Sequence, residues 1–367
     1  MNDAGASLNV QTHRCSAHRP VPAGTRIQRS PWRTIDVHCH IFSPSVEALI
    51  AQIPGSADRK AQDLREIGEA SNKVNAALIG SLAPKLVSMK SRLADMDAMG
   101  VDIQLVSPSP TQYCYWVDRE IAPSIVNAQN DDIAKLCAEV PDRFLGLGTV
   151  AMQHPELAAD QLADLMQRRR FKGVQISSLV NGLDIADAFF LPFWKRADEL
   201  EAVIFIHPWG TTLGTRLSDH YLMNTIGQPF ETTVCLSKLI FSGTLERHPR
   251  LRIIAAHGGG YLPAYCGRSD HAHAVRPELD SGLPRPSDQL RHLWFDSLVH
   301  DSDQLSALIR RVGEDRVLLG TDYPFDMGHF DPAASVAHLT VAQQKRVLGE
   351  NAAGLLGLPA CPSHSKV

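Results

Sequence analysis

Four histidines and one aspartate in this sequence stand at the ends of short apolar runs, where metal chemistry is possible. His38 and His40 are two residues apart, so on a strand both side chains point to the same face. A nitrogen of His207 and an oxygen of Asp322 would complete a metal site that leaves room for water or substrate. A lone histidine more often packs into a core, and the His38–His40 pair alone leaves both interpretations open. With His257 also at a run end, the five residues together favour the metal site.

The runs that carry these residues alternate with stretches of helical periodicity, such as 155–169 and 303–313. Eight alternating β/α units predict a closed (β/α)8 TIM barrel rather than an open doubly wound sheet. No glycine fingerprint of a dinucleotide-binding fold follows the first run. Active sites of such barrels form at the carboxyl ends of the strands, which is where the candidate ligands lie. The predicted strands are 35–41, 101–106, 144–150, 173–177, 202–207, 251–257, 293–299 and 317–322.

The predicted barrel domain occupies residues 34–358. An N-terminal extension, 1–33, contains arginine and proline but no continuous apolar run, so we expect a segment laid over the fold rather than a secretory signal. Its acidic-poor composition is also weakly similar to a transit peptide. The stretch from about 42 to 90 is too long for a βα loop and predicts a small helical insertion over the barrel mouth. Residues 359–367 form a short C-terminal tail.

The composition argues against several classes of partner. Lys and Arg number 36 against 40 Asp and Glu, giving a net charge of −4, so no basic field exists to bind nucleic acid or an anionic membrane. No apolar run approaches the ~20 residues that span a bilayer. The seven cysteines include no CxxC pair. This pattern predicts no disulfide scaffold and a reducing, cytoplasmic location.

Several short sequence words occur in an order that resembles the amidohydrolase superfamily. The resemblance covers roughly residues 34–358. Within the superfamily, the sequence is most similar to the decarboxylase family typified by 2-amino-3-carboxymuconate-6-semialdehyde decarboxylase. The words are Asp36-Val-His-Cys-His40, Arg92-Leu-Ala-Asp-Met-Asp97, Arg143-Phe-Leu-Gly-Leu-Gly148, Gly173-Val-Gln-Ile176, His207-Pro-Trp209, Ala256-His-Gly-Gly-Gly260, Gly267-Arg268 and Gly320-Thr-Asp-Tyr-Pro-Phe325.

This resemblance implies that His38, His40, His207 and Asp322 are ligands of one divalent ion. The ion is usually zinc, with manganese or another divalent metal as the alternative. His257 matches the family's catalytic histidine beside the metal, and Asp322 is a second candidate for moving a proton. Many relatives hold a second metal with a lysine on strand 4, which this sequence lacks at the inward positions of that strand. One metal is therefore favoured.

The resemblance also implies a substrate-binding set. Arg92 and Arg268 match residues that bind substrate carboxylates, and guanidinium groups pair with carboxylates in a bidentate way. Trp209 and Phe325 are candidate apolar walls, although ordinary core aromatics would look the same. In the family the arginine matching Arg268 reaches the substrate from the neighbouring subunit, so a homodimer is expected.

The predicted function is metal-dependent, non-oxidative decarboxylation of a small-molecule carboxylate, a carboxymuconate semialdehyde-like or related ring-cleavage product. Departures from the family at the predicted mouth, such as Gly210 after Trp209, leave the substrate open. A decarboxylase of an aromatic acid is therefore an alternative. A hydrolase or hydratase of the same superfamily would share the ligands and is a second alternative. A metal-binding protein without activity is disfavoured by His257 and the two arginines.

Overall fold

The computed structural model describes residues 30–279 and 282–359. Most of the predicted N-terminal extension and of the C-terminal tail lies outside the described residues. Eight parallel strands form one sheet in the order β1-β2-β3-β4-β7-β8-β9-β10, and β5 and β6 form a separate hairpin after β4. The strands are β1 Ile35–Ile41, β2 Ile103–Pro108, β3 Phe144–Gly148, β4 Gly173–Ile176, β5 Leu179–Val180, β6 Leu183–Asp184, β7 Val203–Ile206, β8 Arg252–Ala255, β9 Leu293–Asp296 and β10 Val317–Leu318.

The ring closes between the last strand and the first. The amide of Val37 donates to the carbonyl of Leu319, at 2.9 Å, and the amide of His40 donates to the carbonyl of Tyr323, at 2.8 Å. The amide of Asp322 donates a hydrogen bond to the carbonyl of His38, at 2.8 Å. These bonds join the first and last strands, so the (β/α)8 barrel predicted from the sequence is confirmed. Regular pairing in β10 stops at Leu318, short of the predicted strand end at 322.

Helices surround the barrel, and the predicted helical stretches 155–169 and 303–313 correspond to α6 and α12. Most helices follow a strand and pack an apolar face against the sheet. Among the described residues, no helix is both long and apolar enough to cross a membrane. The helices are α1 Pro44–Ile50, α2 Ser56–Ile67, α3 Glu69–Val87, α4 Met89–Met99, α5 Ala122–Glu139, α6 Pro155–Gln167, α7 Leu191–Glu199, α8 Gln228–Phe241, α9 Thr244–Arg247, α10 Leu262–Val275, α11 Pro286–Gln289, α12 Ser302–Val312, α13 Pro332–Ser335, α14 Val341–Lys345 and α15 Asn351–Leu355.

The predicted insertion after β1 is helical and consists of α1, α2 and α3. Gly68 joins α2 to α3 at a φ of 88°, in the left-handed region that favours glycine. A Cβ at this position would lie 1.7 Å from the carbonyl oxygen of Ser218, in the segment that follows β7. The close backbone approach therefore places the insertion against a loop at the carboxyl side of the barrel.

The first strand changes the face that its residues present. Ile35 and Val37 pack in a hydrophobic cluster inside the barrel. This cluster also contains inward residues of β2, β3, β7 and β8 and residues of α15. Cys39 and Ile41 pack instead in the larger cluster with the surrounding helices. The register with β2 shifts between Asp36 and Cys39, as at a β-bulge. This irregularity turns the histidines of the second half of β1 inward.

Candidate metal centre

Three histidines and one aspartate meet at the carboxyl end of the barrel. His38 and His40 lie on β1, His207 follows β7 directly, and Asp322 follows β10. All four are buried, and one ligand atom from each lies within 4.8 Å of the others. The Nε2 atoms of His38 and His40 are each 3.3 Å from Oδ1 of Asp322. The structure therefore brings together the four residues predicted as ligands.

Each imidazole is oriented through its other nitrogen. Nδ1 of His38 is 2.6 Å from Oδ2 of Asp296, Nδ1 of His40 is 3.1 Å from the carbonyl of Pro108, and Nδ1 of His207 is 2.9 Å from the carbonyl of Pro208. Since carbonyl and carboxylate oxygens accept, these Nδ1 atoms carry protons. The Nε2 lone pairs are then directed to the centre, as metal ligation requires.

The donor atoms at the centre fit a divalent ion. Nε2 of His38, Nε2 of His40 and Oδ1 of Asp322 are buried and make no hydrogen bond. Buried polar atoms without partners are costly and rare, so atoms of this kind converging on one point indicate a ligand. Three imidazoles and a carboxylate suit a divalent transition-metal ion. The group is therefore a site for one divalent metal.

The charges of the metal-free group are strongly coupled. Burial alone would lower the pKa of His38, but the carboxylates of Asp322 and Asp296 raise it to about 10. Burial would raise the pKa of Asp322, yet the charge of His38 and the close approach of both β1 histidines bring it well below its usual range. Burial and the neighbouring histidines lower the pKa of His40 and His207. In the metal-free protein, a proton on His38 thus supplies part of the positive charge that a bound metal ion would supply.

His257 stands beside the ligand group without belonging to it. Its ring centroid lies 5.2 Å from that of His38 and 5.0 Å from that of His207. Burial, together with the charge of His38, lowers its pKa to about 4. Its backbone has a φ of 54°, an uncommon conformation that often marks functional residues. His257 is therefore a neutral imidazole next to the metal site, where the sequence predicted it.

Asp296, the last residue of β9, was not among the predicted site residues. Besides His38, its carboxylate accepts the amides of His257 at 2.9 Å, Gly258 at 2.8 Å and Leu298 at 3.2 Å. Burial would raise its pKa, but the hydrogen bond and charge of His38 lower it overall. This carboxylate links a metal ligand to the loop that holds the catalytic candidate. Its place at a predicted strand end was the signal that could have identified it.

A cavity of about 800 Å³ opens from the metal group, and His257 and Asp322 lie in its wall. Further wall residues come from the start of α8, from α10 and from α12. The cavity is more apolar than polar, with Pro229, Leu298 and Leu308 in the wall. Among the lining residues within 30–279 and 282–359, Arg311 is the one arginine or lysine. A cavity of this size accommodates a small ring-shaped molecule.

The structure does not bring the predicted carboxylate binders to this cavity. Arg92 lies on α4 and is 1% exposed. Its guanidinium donates to Oε1 of Gln104, at 2.9 Å, and to the carbonyl of His40, and it lies 4.8 Å from the ring centroid of Tyr323. These contacts hold the guanidinium inside the protein, and Arg92 does not line the cavity, so the geometry gives the predicted substrate role of Arg92 no support. Arg268 is exposed and lies on the helix α10.

The two predicted aromatic walls differ in position. The ring centroid of Phe325 is 5.5 Å from that of His40, so Phe325 borders the metal group. Trp209 is partly buried and packs against the large cluster between sheet and helices.

On β4 the buried Gln175 donates to the carbonyl of Pro108 at 2.9 Å. No lysine of β4 is present to bridge a second metal.

Comparison with known proteins places the chain in a family. The amidohydrolase family model matches residues 35–358, and the chain belongs to this family. The chain is 35% identical over 272 residues to 2-amino-3-carboxymuconate-6-semialdehyde decarboxylase of Dictyostelium discoideum, covering 73% of this chain and 76% of that protein. It is 29% identical to γ-resorcylate decarboxylase of Rhizobium radiobacter, covering 70% and 83%. The crystal structure of 5-carboxyvanillate decarboxylase from Sphingomonas paucimobilis superposes with a TM-score of 0.76 at 26% identity, covering 89% of this chain and all of that one. The predicted family and its decarboxylase branch are confirmed.

Proposed function

We propose that this protein is a divalent-metal-dependent, non-oxidative decarboxylase of a small carboxylic acid. The observation that carries the proposal is the neutral His257 beside four metal ligands at the buried end of a cavity sized for a ring. The relatives named above are decarboxylases, which supports the reaction class. The donor set of three imidazoles and one carboxylate supports zinc, with manganese as the alternative.

Decarboxylation breaks the bond between the carboxyl carbon and its neighbour. CO₂ leaves without the bonding electrons, and the pair that remains on carbon must take up a proton. When bound at this site, a divalent ion supplies a Lewis acid that orients and polarises substrate oxygens. His257 holds a proton on one ring nitrogen and lies within the cavity, so it can deliver that proton to the carbon and recover it from solvent. Asp322 is the second candidate for this transfer.

Two substrate classes fit the reaction. A carboxymuconate semialdehyde-like acid carries two carboxylates, and the relative from Dictyostelium discoideum supports it. A simple aromatic acid such as benzoate carries a single carboxylate on a flat ring. Because the wall that one chain provides is largely apolar, it favours the aromatic acid. A hydrolase or hydratase on the same ligands remains the alternative class.

The test is incubation of the metal-loaded protein with candidate acids, followed by measurement of CO₂ and product. Decarboxylation in D₂O should place deuterium on the carbon that lost its carboxylate. Oxygen from labelled water in the product without CO₂ would instead establish a hydratase or hydrolase. His257→Ala should keep its metal and lose activity by roughly 10²–10⁴-fold, the range for a general acid-base residue. Metal analysis of protein isolated from cells then distinguishes zinc from manganese.

We also propose a homodimer in which Arg268 acts across the two-fold axis. Arg268 and Tyr265 are three residues apart on α10 and so share a face. Tyr265 is 72% exposed and lies at the cavity rim, so a second copy on this face would meet the cavity mouth. Inactive His257→Ala protein mixed with inactive Arg268→Ala protein should recover roughly a quarter of wild-type activity after subunit exchange. Exchange without recovery would show that Arg268 acts in its own chain or not at all.

A cytoplasmic location is the last part of the proposal. Within the described residues, Cys39, Cys114, Cys137, Cys235 and Cys266 are free thiols. Free buried thiols suit a reducing compartment. Fractionation of cells that express the full chain should recover the protein with cytoplasmic markers.

A further inference from the structure

One buried side chain of β4 lies in the layer of the barrel interior that adjoins the metal group. Gln175 pairs in register with Phe205 of β7, and both residues are fully buried. Phe205 belongs to the hydrophobic cluster inside the barrel, and its ring centroid lies 5.0 Å from that of His38. The side chains of such a layer come from neighbouring strands and fill the barrel interior. Gln175 is therefore placed to act on the ligands from below.

The amide of Gln175 uses both of its N–H donors. Nε2 donates to the carbonyl of Pro108 and to the hydroxyl of Tyr113, each at 2.9 Å. The opposite orientation of the amide would set Oε1 against a carbonyl that can only accept, so these bonds fix which end faces Pro108. The hydroxyl of Tyr113 in turn donates to the carbonyl of His207, at 2.9 Å. One continuous chain of hydrogen bonds thus runs from Gln175 to the backbone of a metal ligand.

The bond to Pro108 leads to a second ligand. The carbonyl of Pro108 accepts from Nδ1 of His40, at 3.1 Å, as well as from Nε2 of Gln175. A carbonyl oxygen has two lone pairs, and these two donors occupy both of them. Because this carbonyl orients the imidazole of His40, the donor that fixes the carbonyl also fixes the ring.

The ring of Tyr113 is held in place by its neighbours. Tyr113 is buried and stacks on Tyr115, with ring centroids 5.3 Å apart and planes 6° from parallel. The hydroxyl of Tyr115 accepts the amide of Ser177, the residue that follows β4, at 3.3 Å. The hydroxyl of Tyr113 therefore reaches His207 from a packed position rather than from a mobile side chain.

We infer that Gln175 is a positioning residue for the metal centre, because its amide fixes the acceptor that orients His40 and, through Tyr113, the backbone of His207. Ligands from β1 and from the end of β7 are thereby held to a third strand, β4. His38 is oriented separately, by Asp296. This inference rests on the metal dependence in the proposed function, but not on the reaction or the substrate.

One replacement separates this role from a contribution to folding. Oε1 of Gln175 is buried and has no hydrogen-bond partner, which costs folding free energy. Gln175→Met loses two hydrogen bonds but also removes that unsatisfied acceptor. The carbonyl of Pro108 keeps His40 as a donor, and the hydroxyl of Tyr113 keeps the carbonyl of His207. We therefore expect the urea midpoint of the metal-free protein to change little while metal binding weakens.

The test compares metal binding by the full-length wild type and by Gln175→Met. Competition with a chelator measures the affinity for Zn²⁺, and the visible absorption of Co²⁺-loaded protein reports the geometry of the ligands. Gln175→Met should bind Zn²⁺ on the order of tenfold more weakly, the lower end of the range for lost support of a ligand, and its Co²⁺ bands should shift.

Tyr113→Phe tests one branch of the chain by removal of a single hydroxyl. It should weaken Zn²⁺ binding less than Gln175→Met does, because the bond from Gln175 to Pro108 remains. In the double variant the two effects should combine to less than their product, since both residues act on His207 through the same hydrogen bonds.

Gln289 provides a matched control. It is also buried, its Nε2 donates to a proline carbonyl, that of Pro284, at 2.8 Å, and its Oε1 has no partner. It lies on α11, and its amide bonds to none of the ligands or their acceptors. Gln289→Met should therefore keep the Zn²⁺ affinity and the Co²⁺ spectrum of the wild type.

Several results would overturn the inference. Gln175→Met that binds Zn²⁺ within about threefold of the wild type, with an unshifted Co²⁺ spectrum, is the first. Equal weakening in Gln289→Met is the second, and a lower urea midpoint without any change in binding or spectrum would show a purely structural role. If Gln175→Met does not fold, unchanged affinity and spectrum in Tyr113→Phe refute the chain to His207. The proposed function fails separately: a wild type that binds Zn²⁺ but releases no CO₂ from any acid refutes the reaction and leaves the role of Gln175 standing.

Discussion

Replacing Asp296 by asparagine tests how the metal site is held. The substitution keeps the shape of the side chain but exchanges one acceptor oxygen for an NH₂ donor. Oδ2 now faces Nδ1 of His38 at 2.6 Å and the amide of His257 at 2.9 Å, both of them donors. An asparagine can keep its oxygen on the other side, toward the amides of Gly258 and Leu298. The NH₂ group then meets two donors, and His38 loses the partner that sets its tautomer.

The expected magnitudes follow from these contacts. Loss of a carboxylate that orients a metal-bound histidine typically lowers metal affinity about 10–100-fold, which corresponds to about 1.4–2.7 kcal/mol. In the metal-free protein the change also breaks the buried pair with His38. That should lower the free energy of unfolding by about 3 kcal/mol, the lower end of the range for such pairs. The lower end applies because Oδ1 still accepts two backbone amides.

Metal affinity is measured by competition with a chelator, and stability by urea unfolding of the metal-free protein. Asp303→Asn, an exposed aspartate in the first turn of α12, is the matched control: it should leave metal affinity unchanged and lower stability by no more than about 0.5 kcal/mol. If Asp296→Asn binds metal within about threefold of the wild type and loses under about 0.5 kcal/mol of stability, Asp296 does not orient His38. A variant that loses stability alone would limit Asp296 to a structural role.

Three further predictions concern the ligands and Arg92. His38→Ala or His40→Ala should lose most of the bound metal while the barrel still folds, since ligands at strand ends lie outside the packed layers; near-stoichiometric metal in both would contradict the assignment. Because the pKa of metal-free His38 is raised to about 10, it is protonated at pH 7, and metal binding should release about one proton per ion. Affinity should then fall as pH is lowered, by up to about tenfold per pH unit; calorimetry in two buffers with different ionisation enthalpies counts the protons, and a count of zero is the opposing result. Arg92→Met should lower the free energy of unfolding by about 2–4 kcal/mol, because the carbonyl of His40 and the side chain of Gln104 lose a buried donor; a large rise in KM at unchanged stability would instead return Arg92 to substrate binding.

The convergence of the four candidate ligands could be predicted because it depends on local pattern. Each of His38, His40, His207 and Asp322 follows or lies within an apolar run, and an alternating chain of eight runs has few topologies open to it. Strand β1 agrees with the predicted range at both ends, and β3 and β4 begin where predicted. Strand ends were less well predicted: β10 stops at Leu318 because the chain beyond it bonds to β1 only at single residues.

The sequence by itself thus determined the barrel fold, the family of the protein and the four residues whose side chains meet at the carboxyl end of the barrel. The tertiary structure alone decided which face of β1 bears its histidines, since a register shift between Asp36 and Cys39 inverts the alternation of inward residues. It also decided that Arg92 is enclosed between α4 and β1. The physical reason is the range of the interactions. Apolar periodicity acts over a few residues, whereas burial, hydrogen-bond satisfaction and cavity shape are sums over segments far apart in the chain.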